Sequence, residues 1–208
     1  DSFNEFTENW VKECFRILKP NGSFWSFMGY QNIFPFFQIL EKYGKVHYEN
    51  WVIWARQKGR ESSKHLKSVR EDIIHVTKSE KGFTWNPVKM LREVIAPYMK
   101  DGKPRGWFLD ENGKRVRWTG LGNIWTYSAP QWNGILDKQV HPSQKPILLL
   151  ERILLLSSNE GDTVLDPFMG SGSTGVACKI QNRNFIGVEM NPDYVDIAKT
   201  RIKDIKHG

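Results

Sequence analysis

The chain has 208 residues, 39% hydrophobic and 25% charged, enough to build one globular domain with an insertion. Lys and Arg number 30 against 23 Asp and Glu, a formal charge of +7 that favours a polyanionic partner. Cys14 and Cys178 show no metal or disulfide spacing, and ILLLERILLL (147–156), interrupted by Glu151 and Arg152, is an amphipathic helix rather than a membrane span, so a cytoplasmic protein is expected.

In chain order, residues 4–19 place Phe6, Trp10, Val11, Cys14, Phe15, Ile17 and Leu18 at helical spacing, and Pro20-Asn21-Gly22 stops that helix before a strand at 23–28. This α–β unit is expected in a parallel sheet. A helix over 33–43 ends at Gly44, and residues 47–54 and 71–78 read as two β runs around a basic loop. In that loop Arg56, Lys58, Arg60, Lys64, Lys67 and Arg70 alternate with serines, a composition suited to phosphate oxygens. Residues 56–105 hold thirteen Lys or Arg and six Asp or Glu, so this one segment carries the whole charge imbalance. Trp54, at the end of the entering strand, is a candidate for stacking on a nucleic-acid base or for the sheet core.

Residues 79–135 break the α/β alternation and read as a small irregular insert. Of its tryptophans, Trp85, Trp107, Trp118, Trp125 and Trp132 are expected to form its core. Asn86, Arg105, Arg115, Arg117, Asn123 and Gln131 are candidates for reading bases, with Arg105, Arg117 and Asn123 foremost, because Arg pairs with guanine and Asn or Gln with adenine in the major groove. The expected organisation is 1–78 as the first part of the catalytic domain, 79–135 as the insert and 136–208 as the cofactor-binding part. A helix over 146–157 opens that last part.

The richest stretch is TVLDPFMGSGSTGVACKIQNRNFIGVE (163–189), which reads as strand, glycine turn, helix and second strand, with Glu189 where a ribose would lie. Gly170, Gly172 and Gly175 also satisfy the dinucleotide fingerprint, so a nicotinamide-dependent oxidoreductase stands as an alternative. Asp166 argues against it: a carboxylate at the mouth of the turn repels a pyrophosphate and suits a ligand carrying ammonium and sulfonium groups. His47, His65, His75, His141 and His207 are dispersed, with no Ser or Cys in triad-like order, and no metal is expected.

Several separated pieces resemble the amino-group DNA methyltransferases that modify adenine N6 or cytosine N4, in their permuted beta arrangement. DPFMGSGSTG (166–175) is similar to the family's cofactor loop, FIGVEMNPDYVDIAKTRI (185–202) to its ribose-binding strand and helix, HPSQKP (141–146) to the segment upstream of the cofactor loop, and NEFTENWVKECFRILKPNGSFWSFM (4–28) to the helix and strand after the catalytic motif. The resemblance implies an α/β, Rossmann-like methyltransferase fold with a mostly parallel sheet, an antiparallel edge hairpin and a target-recognition insert. It implies S-adenosylmethionine as cofactor, bound by Asp166, Pro167, Phe168, Gly170, Ser171, Gly172, Thr174 and Glu189, with His141, Ser143 and Lys145 beside its methionine end. Double-stranded DNA is the implied substrate, adenine N6 preferred over cytosine N4, and a homodimer and a cognate restriction endonuclease are implied partners of a restriction-modification system. The family's Pro-Pro-Tyr catalytic element is not in this sequence and is expected upstream of Asp1. A catalytically inactive DNA-binding subunit is the alternative.

Overall fold

The computed structural model describes residues 3–56, 59, 63–95, 98–130 and 140–205. They fall into two compact units, one of residues 1–86 and 123–208, the other of residues 87–122.

The larger unit starts with α1 (Phe3–Ile17), β1 (Ser23–Met28) and α2 (Ile33–Leu40), then β2 (Lys45–Val46), β3 (Val52–Ala55) and β4 (Arg70–Thr77). Helix α1 buries Thr7, Val11 and Phe15, while Phe6 and Ile17, expected on the same apolar face, are exposed. Helix α2 is buried through Ile33, Phe36, Phe37, Ile39 and Leu40. These side chains meet Val46, Ile74 and Val76 in one apolar cluster, so both helices cover the same face of the sheet. Because strand side chains alternate, Ile73 and His75 of β4 point to the other face, where Trp25 donates its indole hydrogen to Ser157 Oγ of α3 (Ile147–Ser157) at 2.9 Å. Helices therefore lie on both faces, the α/β class.

Three expectations are corrected here. Strand β4 lies between β1 and β3 and runs antiparallel to both, so β1 has no parallel neighbour among the described residues. The first β run begins at Val52, not at 47, because residues 48–50 form a 3-10 turn in which the backbone amide of Asn50 donates to the His47 carbonyl at 2.9 Å. The β3–β4 pair is not the sheet edge either: β10 (Ile124–Thr126) adds to β3 in parallel, with Trp125 opposite Trp54. A parallel pair also forms between β11 (Thr163–Asp166) and β12 (Asn184–Gly187), joined through α4 (Ser173–Ile180) and followed by α5 (Pro192–Lys203). The sheets are thus mixed.

The smaller unit is narrower than the expected 79–135. Within 87–122 it holds β5 (Lys89–Glu93), a hairpin of β6 (Met99–Lys100) and β7 (Lys103–Pro104), β8 (Phe108–Leu109) and β9 (Arg115–Gly120). Strand β9 is central, antiparallel to β5 and to β8. Trp85 and Trp125 belong to the larger unit, Trp85 stacked 5.5 Å from His75 and Trp125 only 3% exposed, while Trp118 of the small unit is 61% exposed. An aromatic core built from all of them does not form. Trp132 and Gln131 lie outside the described residues.

Candidate functional site

The turn after β11 is built from its own carboxylates. Asp166 closes β11; its Oδ1 accepts from the backbone amide of Phe168 at 3.0 Å, and its Oδ2 from the Thr174 hydroxyl at 2.6 Å. Glu189, two residues beyond β12, accepts from the backbone amides of Gly170 at 3.0 Å and Asn191 at 2.9 Å. The parallel register sets Asp166 beside Gly187, so both carboxylates sit at the carboxyl ends of adjacent strands, where α/β folds bind ligands. Each carboxylate oxygen keeps a further lone pair. Phe168, 55% exposed, closes one side of the turn and packs edge-on against Trp10 at 5.2 Å. Pro167 is half-buried between these two groups.

The glycines are required by contact. Gly172 caps α4 in the left-handed conformation (φ +78°), and a Cβ there would lie 2.7 Å from the Ala198 Cβ. Gly170 is also left-handed (φ +51°), which favours glycine, and it lies beside the His141 ring. His141 packs edge-on to Tyr194 at 4.4 Å, and its Nδ1 accepts from the backbone amide of Ser143 at 3.1 Å. HPSQKP and the glycine turn are therefore neighbours, and Ser143 stands exposed beside them.

Lys145 is paired within the chain. Its ammonium donates to Glu71 Oε1 at 2.7 Å and lies 5.0 Å from the centre of the Phe27 ring and 5.9 Å from that of Trp54. Both charged groups are largely shielded, 23% and 18% exposed, and at that burial an unpaired charge is costly, so the Lys145 ammonium is balanced by Glu71. Trp54, Arg56, Glu71, Ser143, Gln144 and Lys145 line a cleft of about 260 Å³. Trp54 is 2% exposed and donates its indole hydrogen to the Tyr127 carbonyl at 2.9 Å. That burial fits the sheet-core role of the two candidate roles for Trp54.

Two further residues hold the turn. Gln144 is buried; its Oε1 accepts from the Val140 amide at 2.9 Å and from Ser171 Oγ at 3.4 Å. Arg201 of α5 donates to the Ser171 carbonyl at 2.7 Å and hydroxyl at 2.9 Å, and to Ser173 Oγ at 3.3 Å. Ser171, 2% exposed, thereby anchors the turn instead of facing a ligand. Gln144 lies within HPSQKP and was legible as part of it; the Arg201 contact spans 30 residues and has no local signal.

Among the nucleic-acid candidates, Lys64 and Lys67 are exposed, and Lys58 and Arg60 lie outside the described residues. The Arg56 guanidinium donates to the Arg70 carbonyl at 3.3 Å, and Arg70 Nε is 3.5 Å from the buried Asp72 carboxylate. Arg105 and Arg117 are exposed in the small unit. Asn123 belongs to the larger unit, where its carbonyl accepts from the Ile53 amide at 2.8 Å, so it is not part of the insert. Asn86 is also structural: its side-chain amide donates to the carbonyls of Leu155 at 3.1 Å and Ser158 at 3.0 Å, closing the end of α3. The described residues contain no group of three or more His, Cys, Asp or Glu placed to hold a metal, and no helix long and apolar enough to cross a membrane.

Residues 1–200 match the family model described as DNA methylase. The type II methyltransferase M.HpaI of Haemophilus parainfluenzae is 34% identical over 208 residues, covering all of this chain and 62% of its own length. The DNA adenine methyltransferase YhdJ of Escherichia coli K12 is 32% identical over 217 residues, covering all of this chain and 69% of its own. In structure, the M1.HpyAVI–SAM complex superposes with a TM-score of 0.70 at 27% identity, over 96% of this chain and 83% of that one. The cytosine-N4-specific PvuII DNA methyltransferase has a TM-score of 0.68 at 17% identity, over 98% and 72%, a likeness of fold.

Proposed function

The chain belongs to the amino-group DNA methylase family, and on that premise we propose that it is the cofactor-binding and DNA-facing part of a site-specific DNA methyltransferase of restriction-modification type, with adenine N6 as the preferred target. One observation carries the reading: Asp166 and Glu189 flank a glycine turn whose backbone is held by the carboxylates themselves. S-adenosylmethionine suits that turn. Its ammonium and sulfonium favour the acidic mouth, its ribose hydroxyls suit the remaining lone pairs of Glu189, and its adenine suits the exposed ring of Phe168. When bound, the cofactor would supply a methyl group to an exocyclic amine by in-line displacement at the methyl carbon, the thioether sulfur leaving and the amine losing one proton. The chain's own residues keep the turn rigid through Ser171, Gln144 and Arg201, so positioning is set before any ligand arrives. His141 and Ser143 close the turn on one side, and the basic segment holds the DNA backbone while the base is extruded.

Adenine N6 as the preferred target is supported by YhdJ, a relative whose name carries adenine. A homodimer and a cognate endonuclease acting on the same site are proposed as partners, and a cytoplasmic location accords with a DNA substrate.

Calorimetric titration with S-adenosylmethionine, with NAD and with duplex DNA tests the reading. Binding of the first and third but not of NAD is expected, and Asp166→Asn should weaken S-adenosylmethionine at least tenfold. Because Asp166 also accepts two internal hydrogen bonds, that variant should lose roughly 1–3 kcal/mol of stability as well, so affinity is compared at a temperature where both proteins are folded. Binding of NAD in place of S-adenosylmethionine would overturn the assignment.

A further inference from the structure

The small unit has two unlike faces. Residues opposite one another on antiparallel strands point the same way, and so do residues two apart on one strand. Register therefore sorts β5 and β9: Leu91 is opposite Trp118 and Glu93 opposite Val116, while Arg92 is opposite Arg117 and Met90 opposite Thr119. Arg115, two residues before Arg117, shares the second face and lies opposite Leu109 of β8. One face carries Leu91, Val116 and Trp118 together with Lys89 and Glu93, one charge of each sign; the other carries three arginines beside Met90, Thr119 and Leu109. Neither Arg92, Arg115 nor Arg117 has an ion-pair partner among the described residues, and Arg115 is positioned with its guanidinium 5.8 Å from the centre of the Trp107 ring.

Two like charges directly opposed on a strand pair, with Cβ atoms about 5 Å apart, destabilise the sheet they sit on. Such a pair, with no ion-pair partner among the described residues, is suited to an anionic or acceptor-rich ligand. All three are Arg, whose planar fork pairs with two acceptors at once, whereas Lys100 and Lys103 fall on the separate β6–β7 hairpin. The major groove of B-DNA admits a two-stranded ribbon, and the bidentate pairing of Arg with guanine O6 and N7 is its commonest specific contact. Arg115 and Arg117 are about 6.7 Å apart along the strand, close to two base-pair rises of about 3.4 Å. The opposite face, with Lys89 and Glu93, has no net charge, so the positive charge of the ribbon is gathered on the arginine face.

Resting on the DNA reading above, we infer that the β5–β9 ribbon enters the major groove and that Arg92, Arg115 and Arg117 read guanine edges, so that the recognised sequence contains guanine. Arg92 and Arg117 address one locus and Arg115 a second, two base pairs away. Thr119 and Met90 present methyl groups on the same face, next to the arginine pair, where a thymine methyl would be accommodated.

The experiment is selection by the full chain of bound duplexes from a library randomised at its centre, followed by affinity measurement on the selected sequence, a scrambled one and the selected sequence with 7-deazaguanine at each guanine. The selected sequence should contain guanine, and removing its N7 should weaken wild-type binding about 5- to 150-fold. Arg117→Lys keeps the charge and loses the fork: it should bind scrambled DNA as the wild type does, lose most preference for the selected sequence, and lose little more with 7-deazaguanine. These positions are exposed, and circular dichroism checks that the variant is folded. A selected sequence without guanine, or Arg92→Ala, Arg115→Ala and Arg117→Ala each weakening all sequences alike with a salt slope shallower by about one, would reassign the face to phosphate contact and overturn the inference. Wild-type protein that binds no duplex would remove the DNA reading itself.

Discussion

In the larger unit the polar groups face inward: Asp72, His75, Thr77, Gln144, Ser171 and Ser173 are buried, and most have named partners. In residues 87–122 Val116 is the one buried side chain among those described, and Arg, Lys and aromatic groups face outward. A three-stranded sheet with one buried residue has little apolar burial to hold it, so its sequence answers to what it touches rather than to its own packing. The larger unit is specified by burial and hydrogen bonding, and any change there is first a change of fold.

The largest expected effect uses that inward polarity. His75 is fully buried, stacked on Trp25 at 4.3 Å and His47 at 4.9 Å; its Nδ1 accepts from the Asn50 amide and its Nε2–H donates to Ser23 Oγ, each at 3.0 Å, a pattern that a neutral ring satisfies. Burial, with a smaller contribution from the neighbouring His47, pushes its pKa down from 6.5 to about 3. The unfolded chain therefore takes up the proton first, and stability present at neutral pH is lost as pH falls through 6.5 toward 3, by up to about 1.4 kcal/mol per unit. His47, also lowered by burial, acts in the same direction. Urea unfolding at pH 7, 6 and 5 should give falling midpoints, with a shallower fall in His75→Gln; a level profile in the wild type would break the contrast.

Next is the glycine turn. Gly172→Ala meets both the left-handed penalty and the Ala198 side chain, and should cost about 2–4 kcal/mol, measured by denaturant unfolding. Loss below about 1 kcal/mol would mean that α5 yields, and the turn would not be the rigid element argued above.

Legibility followed the same division. The α–turn–β alternation over 163–189 was readable because each element there is defined by local periodicity and by glycines with a steric reason. What could not be read was partner choice across distance: Lys145 meeting Glu71 over 74 residues, Arg201 meeting Ser171 over 30, and β4 inserting between β1 and β3. Composition shifts near residue 79, which points to the insert for Asn86, Asn123, Trp85 and Trp125, yet backbone pairing keeps Asn86, Asn123 and Trp125 with the larger unit, and stacking on His75 keeps Trp85 there. In the small unit single residues were identifiable as DNA candidates, but the opposition of Arg92 and Arg117 depends on strand register, which no local pattern encodes when both strands are almost wholly exposed.

A smaller effect tests the outward unit. Val116→Ala removes its one buried branched side chain and should destabilise it by about 1–2 kcal/mol, read as faster amide exchange in β5, β8 and β9 with S-adenosylmethionine affinity unchanged. Slower binding of the cofactor or faster exchange in β11 and β12 would show that the two units share their stability, and the contrast between them would fail.

The smallest effect concerns the two thiols. Cys178 lies fully buried in α4, and burial pushes its pKa up to about 12, so at pH 8 about one thiol in ten thousand is ionised. Cys14, half-buried in α1, is raised by burial as well, with Glu13 and Asp166 adding to the rise. Native protein treated with iodoacetamide at pH 8 should label slowly at Cys14 and not at Cys178 until denaturant is added, as read by peptide mass. Since α4 carries the glycine turn at its start, labelling of Cys178 in the native state would require that helix to open. If S-adenosylmethionine then suppressed the labelling, the turn would have to be ordered by its ligand rather than by Ser171, Gln144 and Arg201, and the inward-facing character assigned to this unit would be a property of the complex alone.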